Sequence, residues 1–533
     1  MSKRISPLAR AIAGVTLLWA MQSQAQFSQN LTIGNPKAMA LGNAITADSS
    51  GIDAVHYNPA ALTKLKGRQT AVKIIAGGMD IRAEFDAPAD YGERFFGYKN
   101  DPIAGTRSRT TSSAMYLPGL GGTTEIPLLV APLAGLSINP PGSKFTFATN
   151  IYTPQAVGYV RDDDDPGRYQ GKEVVMQRIT YFSPSVGYQV NDELSVGLSI
   201  GFSHQALALK QDLRAPGMLT GLVAALREAM CVVGSSPLDV LLNICGGDEF
   251  GPFTDLAELD VDLQQTLSPT WNLGILWEPK EWFALGAVYQ SEAKMHMQGT
   301  YRIDYTKDWQ GLWQGLKSSV FGILPPLSVM SADGLYAYEQ GNVSMDLTYP
   351  AHFSTGIKIK PHRQWQFNMD VKWTDYSAWE DFELKFDRPL DFLKVASVFS
   401  PNNATRNSII LSRDYESVWS MAFGLQYDVN DRLSLRLGYE PRKSAIPGNK
   451  ADALAPLGDA DLYGLGAGYR WDQETEVDIG FNYMVSKQSI PGGSSCNVNC
   501  SGLLDMVYNP YADLDIKTTV KAYVFALTYR TRF

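Results

Sequence analysis

The last stretch of the chain, KTTVKAYVFALTYRTRF (residues 517–533), decides the fold class. Large apolar side chains recur there at every second position, and small or polar residues fill most of the positions between them. A period of two is typical of a β-strand with one apolar face, and aromatic side chains near the middle and at the end are typical of membrane β-barrels. The stretch therefore predicts a barrel-wall strand, with an ordinary sandwich strand as the alternative. Its apolar positions are Tyr523, Phe525, Leu527, Tyr529 and Phe533.

Alternation and turn residues predict fourteen strands along the chain. The links between them alternate without exception between tight turns and long loops. An even-stranded barrel with both termini on the periplasmic side has this arrangement, whereas a sandwich gives no reason for it. We therefore predict an all-β fold, a 14-stranded antiparallel transmembrane β-barrel at 68–533 with long extracellular loops. The predicted strands are 68–85, 124–138, 143–157, 175–190, 193–210, 264–278, 281–303, 341–360, 363–387, 411–429, 432–443, 459–471, 474–489 and 516–533.

The first residues predict an exported protein. Lys3, Arg4 and Arg10 precede the apolar run 11–20, and small residues stand at Ser23 and Ala25. This is the pattern of a secretory signal peptide at 1–25, and its apolar run is too short to span a bilayer. The formal net charge of −9 gives no general basis for binding nucleic acid.

The segment 26–67 does not alternate. It is rich in glycine, asparagine, alanine and serine and contains two Asn-Pro steps, which predict compact irregular structure or short helices. Fourteen strands enclose more space than small lumen side chains fill. We therefore expect this segment to plug the barrel from the periplasmic side.

Two motifs in the plug segment resemble the N-terminal hatch of the FadL family, the long-chain fatty acid transporters of Gram-negative outer membranes. They are ALGNA at 40–44 and Asn58-Pro59-Ala60, directly before the first predicted strand; WNLGILW (271–277) and YQSE (289–292) are also similar to the family. The resemblance implies an outer-membrane transporter, not an enzyme, that takes up hydrophobic compounds by passive diffusion through a hatch-gated barrel. The hatch residues that it implies for gating are Gly42, Asn43, Asn58, Pro59 and Ala60.

The ligand and the function class stay open at this point. The resemblance favours a long-chain fatty acid as the ligand. Loops 211–263 and 490–515 look long for the family and face the incoming molecule, so an aromatic or alkane hydrocarbon remains as the alternative ligand. An adhesin or structural barrel is the alternative of a different class, and an open porin is disfavoured by the plug. We expect a monomer, a hydrophobic small molecule and outer-membrane lipid with lipopolysaccharide as partners, and neither a cofactor nor a metal.

Two outer loops carry short amphipathic helical patterns. Apolar residues recur in each at i, i+3, i+4 and i+7, which predicts helices with one apolar face. These faces either pack together as a cap or form an apolar groove that captures the ligand. The positions are Leu219, Leu222, Val223 and Leu226 in the first loop, and Trp309, Leu312, Trp313 and Leu316 in the second.

A fatty acid also needs a cation for its carboxylate. Arg436 and Arg442 share lumen parity on the eleventh predicted strand, and Lys443 follows them, so these three are the candidates.

The family is known for a kink in its third strand that opens the wall sideways. Here the third predicted strand contains Pro154, which cannot donate to a ladder. We expect a lateral portal at Thr149, Ile151 and Pro154, with a strand that simply stops at Tyr152 as the alternative.

The remaining motifs are interpreted as structural. The four cysteines form two local pairs, Cys231/Cys245 and Cys496/Cys500, which predict disulfides in an exported protein. The Gly-x-Ser-x-Gly pattern at 197–201 lies within a strand and not at the sharp turn that a catalytic serine needs. The histidines lack ligand spacing, and the acidic run 162–165 is either a solvated loop or a cation site.

Overall fold

A computed structural model describes residue 30 and residues 32–533, except 90, 92–100, 119–121, 232–250, 319–336 and 501–507. The predicted signal peptide lies outside the described residues. In the part that is described, no helix is long and apolar enough to cross a bilayer.

The chain forms a closed antiparallel barrel of fourteen strands, as predicted. The closing strand pairs with the first along its whole length, from Gln69–Arg532 to Asp86–Asp515. The strands are β1 Gly67–Asp86, β2 Thr106–Arg109, β3 Ser113–Tyr116, β4 Thr123–Ile126, β5 Leu129–Asn139, β6 Phe145–Asn150, β7 Tyr152–Val160, β8 Glu173–Phe182, β9 Ser185–Gln189, β10 Leu194–Arg214, β11 Asp255–Lys280, β12 Phe283–Gln290, β13 Ala293–Tyr305, β14 Tyr338–Tyr349, β15 His352–His362, β16 Trp365–Thr374, β17 Asp381–Phe386, β18 Ser408–Ser412, β19 Val418–Asp428, β20 Leu433–Arg442, β21 Ala460–Arg470, β22 Thr475–Ile490 and β23 Asp515–Arg532.

Six barrel strands are each built from two segments: β6–β7, β8–β9, β12–β13, β14–β15, β16–β17 and β18–β19. The breaks at Pro184 and Pro350 have a local cause, because proline cannot donate to a ladder. The predicted strand 124–138 is wrong in its first part: β4 forms a small hairpin with β3, and the wall strand β5 begins at Leu129.

The outer surface of the barrel is apolar where it meets lipid. In β23, Tyr523 and Phe525 are exposed, whereas Ala522 and Ala526 are buried, so the predicted alternation is confirmed. Four tyrosines on neighbouring strands form a continuous girdle with ring centroids 5.4, 6.5 and 5.2 Å apart, which marks the outer membrane interface. This tyrosine girdle consists of Tyr439, Tyr463, Tyr483 and Tyr523.

The segment before β1 lies inside the barrel. It contains helix α1 (Pro36–Ala40), helix α2 (Ala54–Tyr57) and a 3-10 turn (Pro59–Lys64). Nearly all of its described side chains from Ile33 to Thr63 are buried. We call residues 32–66 the plug.

The extracellular loops form a cap with helices α3 (Met218–Cys231), α4 (Lys307–Ser318) and α5 (Asp391–Phe399). A disulfide joins Cys496 and Cys500, with Cα atoms 4.6 Å apart, so one of the two predicted pairs is confirmed. The other pair lies outside the described residues, because Cys245 is in 232–250.

Candidate functional site

The Asn-Pro-Ala motif fastens the plug to the wall. Asn58 is fully buried, and its Oδ1 accepts from the N–H of Ala60, 3.1 Å away, which caps the 3-10 turn. Its Nδ2 donates to the carbonyls of Thr46 (2.9 Å) and of Ile275 in β11 (3.0 Å). One side chain thus joins two parts of the plug to the barrel.

Wall glycines let the plug backbone approach this closely. A Cβ at Gly197 would lie 2.2 Å from the carbonyl carbon of Pro59, and one at Gly274 would lie 2.2 Å from Oδ1 of Asn58. The first glycine of the pattern at 197–201 is therefore explained by packing against the plug, whereas a Cβ at Gly201 would meet side chains of the wall. Gly286, Gly424, Gly438, Gly464 and Gly480 meet other plug residues in the same way.

Buried polar pairs also hold the plug. Asp53 pairs with Lys73 of β1 and accepts from Asn150 at the end of β6 (2.7 Å). Asn43, which follows the close contact of Gly42 with β20, donates to Glu440 (3.0 Å). The predicted hatch residues thus contact β10, β11 and β20, and Asp53 adds contacts with β1 and β6.

His56 in the plug is neutral at physiological pH. Burial, together with the nearby Lys73 ammonium, lowers the pKa of its imidazole to about 3. Its Nε2 contacts Oδ1 of Asn30 at 2.8 Å. The structure thus agrees with a structural role for this histidine.

Gly197→Ala should loosen the plug, because the new Cβ cannot fit beside Pro59 and overpacking of this kind costs about 1–3 kcal/mol. We expect a larger ionic conductance than wild type in planar bilayers. Gly448→Ala is the control, since its Cβ would meet nothing within 4 Å. Equal conductance in all three proteins would mean that this contact does not close the lumen.

The wall separates between the second and third barrel strands. β6 pairs with β5 up to Gly135–Asn150. Beyond that point β7 pairs with β8 alone in the described part of the sheet, apart from one bridge at Val160. Pro154 lies in this half and has no N–H to donate. The ladder between β5 and β7 is therefore interrupted, with Ala114 of β3 packed against Gly158 of β7 beside the interruption, which we call the gap.

The three residues predicted for a portal lie at or beside this gap. Thr149 still pairs with Leu136, and the N–H of Ile151 donates to Ala134 (2.9 Å) just below the opening. Pro154 follows in the unpaired half. The alternative that strand three stops at Tyr152 is wrong, because β7 continues to Val160.

A cavity of about 100 Å³, which we call cavity 1, lies behind the gap and is lined mostly by apolar side chains from β1, β5, β7 and β8. The plug contributes Thr32, whose hydroxyl donates to the carbonyl of Thr153 in β7 (2.9 Å). Three methionines in its lining allow the cavity to adjust to the shape of a ligand, because thioether side chains are flexible and polarizable. These are Met79, Met115 and Met484.

Arg178 on β8 is a buried cation without an acidic partner. The residue is 1% exposed. Its guanidinium donates to the hydroxyl (3.1 Å) and the carbonyl (3.3 Å) of Ser268 and lies 4.5 Å from the ring centroid of Tyr349. No carboxylate comes within ion-pair distance of it among the residues that the structure describes. A buried, unpaired charge is energetically unfavourable unless a group of opposite charge binds it.

Two glutamines flank Arg178 in the same row of the sheet. Gln155 on β7 and Gln205 on β10 are its cross-strand partners, so the three side chains share one face. Both amide atoms of Gln205 and Oε1 of Gln155 are buried without a hydrogen-bond partner in the described structure. Nε2 of Gln155 donates to Sδ of Met176 (3.5 Å), so the donors that remain for a ligand in the described structure are the guanidinium and Nε2 of Gln205, which are suited to a carboxylate. We call these three residues the Arg178 row.

The Arg178 row and cavity 1 lie on opposite faces of one piece of sheet. Gln177 and Ile179, the neighbours of Arg178 along β8, line cavity 1. The two faces of this sheet adjoin at the edge of β7 that has no paired strand in the described part of the sheet. Alternation along the sequence does not identify Arg178 as a ligand-binding candidate, because the residues beside it depend on the register of three strands.

The cations predicted from the sequence all have acidic partners. Arg436 pairs with Asp478, Arg442 with Glu440 (2.7 Å), and Lys443 with Asp459 at the exposed surface. These three therefore do not gather into one site.

The apolar faces predicted for the two loop helices have different environments in the structure. Trp309, Leu312 and Trp313 of α4 are buried in the cap core, with the two indole rings 5.1 Å apart. Leu222 and Leu226 of α3 are instead about 40% exposed. The side chains of Leu219, Val223 and Leu316 lie outside the described set.

A second apolar cavity, cavity 2, of about 90 Å³ lies beneath the cap. It is lined by β10, β11, β13, β17, β18 and helix α5, and by Cys496 of the disulfide. Arg413 and Asp452 form a buried ion pair at its wall.

Two acidic residues of the run 162–165 form contacts with neighbouring residues of the same loop. Asp165 caps the short turn Pro166–Gln170, and Asp163 pairs with Lys172 (3.1 Å). No group of three or more possible metal ligands occurs in the described part of the chain.

The comparisons with known proteins agree with this architecture. The chain is 23% identical over 216 residues to the long-chain fatty acid transport protein of Escherichia coli O6:H1, covering 40% of this chain and 41% of that relative, so less than half of its length is matched. The fold is similar to the crystal structure of a Pseudomonas aeruginosa FadL homologue, with a TM-score of 0.66, 20% identity and coverage of 95% and 100%. It is also similar to the P. putida toluene transporter TodX, with a TM-score of 0.57, 14% identity and coverage of 96% and 99%.

The family match is broader than any of these pairwise alignments. Residues 14–533 match the family described as outer membrane protein transport protein (OMPP1/FadL/TodX). Together with the plugged fourteen-stranded barrel, this establishes that the chain is an outer-membrane protein and belongs to that family.

Proposed function

We propose that this protein takes up hydrophobic molecules that carry a carboxylate, most often long-chain fatty acids, across the outer membrane by passive diffusion. The observation that carries the proposal is the Arg178 row beside the gap: a buried cation that has no carboxylate partner among the described residues, flanked by amide atoms that lack hydrogen-bond partners there. A neutral hydrocarbon would leave that charge unpaired, whereas a carboxylate accepts its hydrogen bonds. The fatty acid transport named in the E. coli relative supports the same choice.

The route that we propose begins at the cap. The exposed leucines of α3 collect the ligand, cavity 2 receives its apolar chain, and the Arg178 row binds its carboxylate. The plug then moves aside, and the ligand passes the free edge of β7 into cavity 1.

Lateral exit through the gap follows from the energetics of the cargo. Each buried CH₂ is worth about 0.8 kcal/mol, so release of a long chain into water is strongly unfavourable. Passage between β5 and β7 delivers the chain to the outer leaflet instead. Thr149, Ile151 and Pro154 border this proposed portal.

Uptake of radiolabelled oleate by proteoliposomes tests the function. We expect faster uptake than by empty liposomes, saturating with oleate concentration. Toluene uptake in the same vesicles tests the alternative ligand class. No protein-dependent uptake of either compound would leave the adhesin or structural barrel as the better account.

Leu222→Asp should weaken capture at low oleate concentration, because the aspartate removes apolar contact and repels the carboxylate. We expect a higher half-saturating concentration of oleate with an unchanged maximal rate. Glu228→Asp on the same helix is the control for altering α3 without adding charge. Wild-type half-saturation in Leu222→Asp would exclude α3 from capture.

A further inference from the structure

A group of cations, exposed or half-buried, lies on the outer wall directly above the tyrosine girdle. On β23, Lys521 is the next outward-facing residue after Tyr523 in the direction of the extracellular loops. The following row of cross-strand partners on β1, β23 and β22 consists of Arg82, Thr519 and Lys487. Arg109 on β2 is the cross-strand partner of Arg82. Aromatic girdles mark the level of lipid headgroups, so these cations stand at headgroup height.

The group carries positive charge that its own acids do not neutralise. Arg82 and Arg109 both contact Asp80, at 2.7 and 2.9 Å, so two cations share one carboxylate. Lys521 is the cross-strand partner of the same Asp80, and neither Lys521 nor Lys487 forms an ion pair in the described structure. Because neighbouring strands are about 4.8 Å apart, Arg82 on β1 and Lys487 on β22 stand about 10 Å from each other.

The far side of the barrel carries acids and cations together. Asp260 and Asp262 on β11 line a shallow polar pocket with Arg302 and Arg388. Cross-strand pairing places Asp304 opposite Glu258. The chain as a whole has a formal charge of −9, so the cations above the tyrosine girdle are a local feature of one wall.

We infer that Arg82, Arg109, Lys487 and Lys521 form a binding site for the headgroup of a glycolipid that carries two phosphates. The Arg82–Arg109 pair binds one phosphate through guanidinium forks, and the two lysines bind the other as point charges. Two positive centres at this spacing suit a bisphosphorylated headgroup better than a phospholipid with one phosphate. The tyrosines below contact the sugar and the start of the acyl chains.

The site also borders the gap in the wall. β1 pairs with β5 only up to Gly77, and above that level it pairs with β2. Gly77 and Gly78 line cavity 1. A lipid held by Arg82 and Arg109 therefore lies next to the opening between β5 and β7.

Native mass spectrometry of the detergent-solubilised protein with diphosphoryl lipid A tests the inference. The triple variant Arg82→Gln, Lys487→Gln and Lys521→Gln should bind at least tenfold more weakly than wild type. The control triple variant Lys294→Gln, Arg302→Gln and Lys385→Gln changes charge equally on the far wall and should bind like wild type. Unboiled gel mobility checks that both variants are folded barrels.

Three further probes decide what the site recognises. Wild type should bind dephosphorylated lipid A and phosphatidylglycerol much more weakly than diphosphoryl lipid A, and millimolar inorganic phosphate should not displace the lipid. Equal binding of the triple variant and wild type would overturn the site. Equal binding of the dephosphorylated lipid or of phosphatidylglycerol, or displacement by phosphate alone, would overturn recognition of a bisphosphorylated headgroup.

Discussion

Arg178→Met should weaken oleate binding by about 10- to 100-fold, because hydrogen bonds to a charged group are worth about 1.5–3 kcal/mol. The methionine keeps an unbranched apolar side chain in place of the arginine stem and removes only the cation. Binding of the neutral analogue hexadecanol should remain at or above the wild-type level. Isothermal titration calorimetry in detergent measures both ligands on the same protein.

Two variants make the result specific. Arg178→Lys keeps the charge and should retain a large part of oleate binding. Arg436→Met removes an arginine that already pairs with Asp478 and should change oleate binding little. If Arg178→Met lowers the affinity for oleate and hexadecanol equally, the carboxylate assignment is wrong and the residue only supports the fold.

Ala131→Trp should block transport without blocking capture, because Ala131 of β5 lines cavity 1 at the gap. A tryptophan there fills the proposed exit, so we expect oleate uptake close to that of empty liposomes. Oleate binding in detergent should persist. The same proteoliposome assay measures uptake.

Ala134→Trp is the matched control. It lies on the same strand but is exposed to lipid, so its uptake should match wild type. Wild-type uptake by Ala131→Trp would contradict exit through the gap and favour release toward the periplasm.

The barrel could be predicted because its pattern is local. Alternation in 516–533 and the sorting of short and long links depend on residue order alone. The plug motif at Asn58 is identified by its resemblance to the hatch of the FadL family and by its position directly before the first predicted strand.

The breaks in the strands were harder to predict. Around Ile151 the apolar pattern continues on both sides, so the sequence shows one strand where the ladder has two halves with different partners. Pro154 was the only local sign of this change.

The candidate carboxylate site depends on register, which sequence patterns do not specify across strands. Arg436 and Arg442 were chosen by parity, but the acids that pair with them, Asp478 and Glu440, are recognised only in the folded barrel. Arg178 stands out only when Gln155 and Gln205 are aligned beside it. A basic residue in a predicted apolar strand was the one available signal.

Photo-cross-linking with a palmitate that carries a diazirine near its carboxylate tests the central claim most directly. We predict labelled peptides from β7, β8 and β10 around the Arg178 row, with labelling that is lost in Arg178→Met and retained in Arg436→Met. Labelling confined to α3 or to the lipid-facing wall, and unchanged in Arg178→Met, would contradict a ligand route through the Arg178 row.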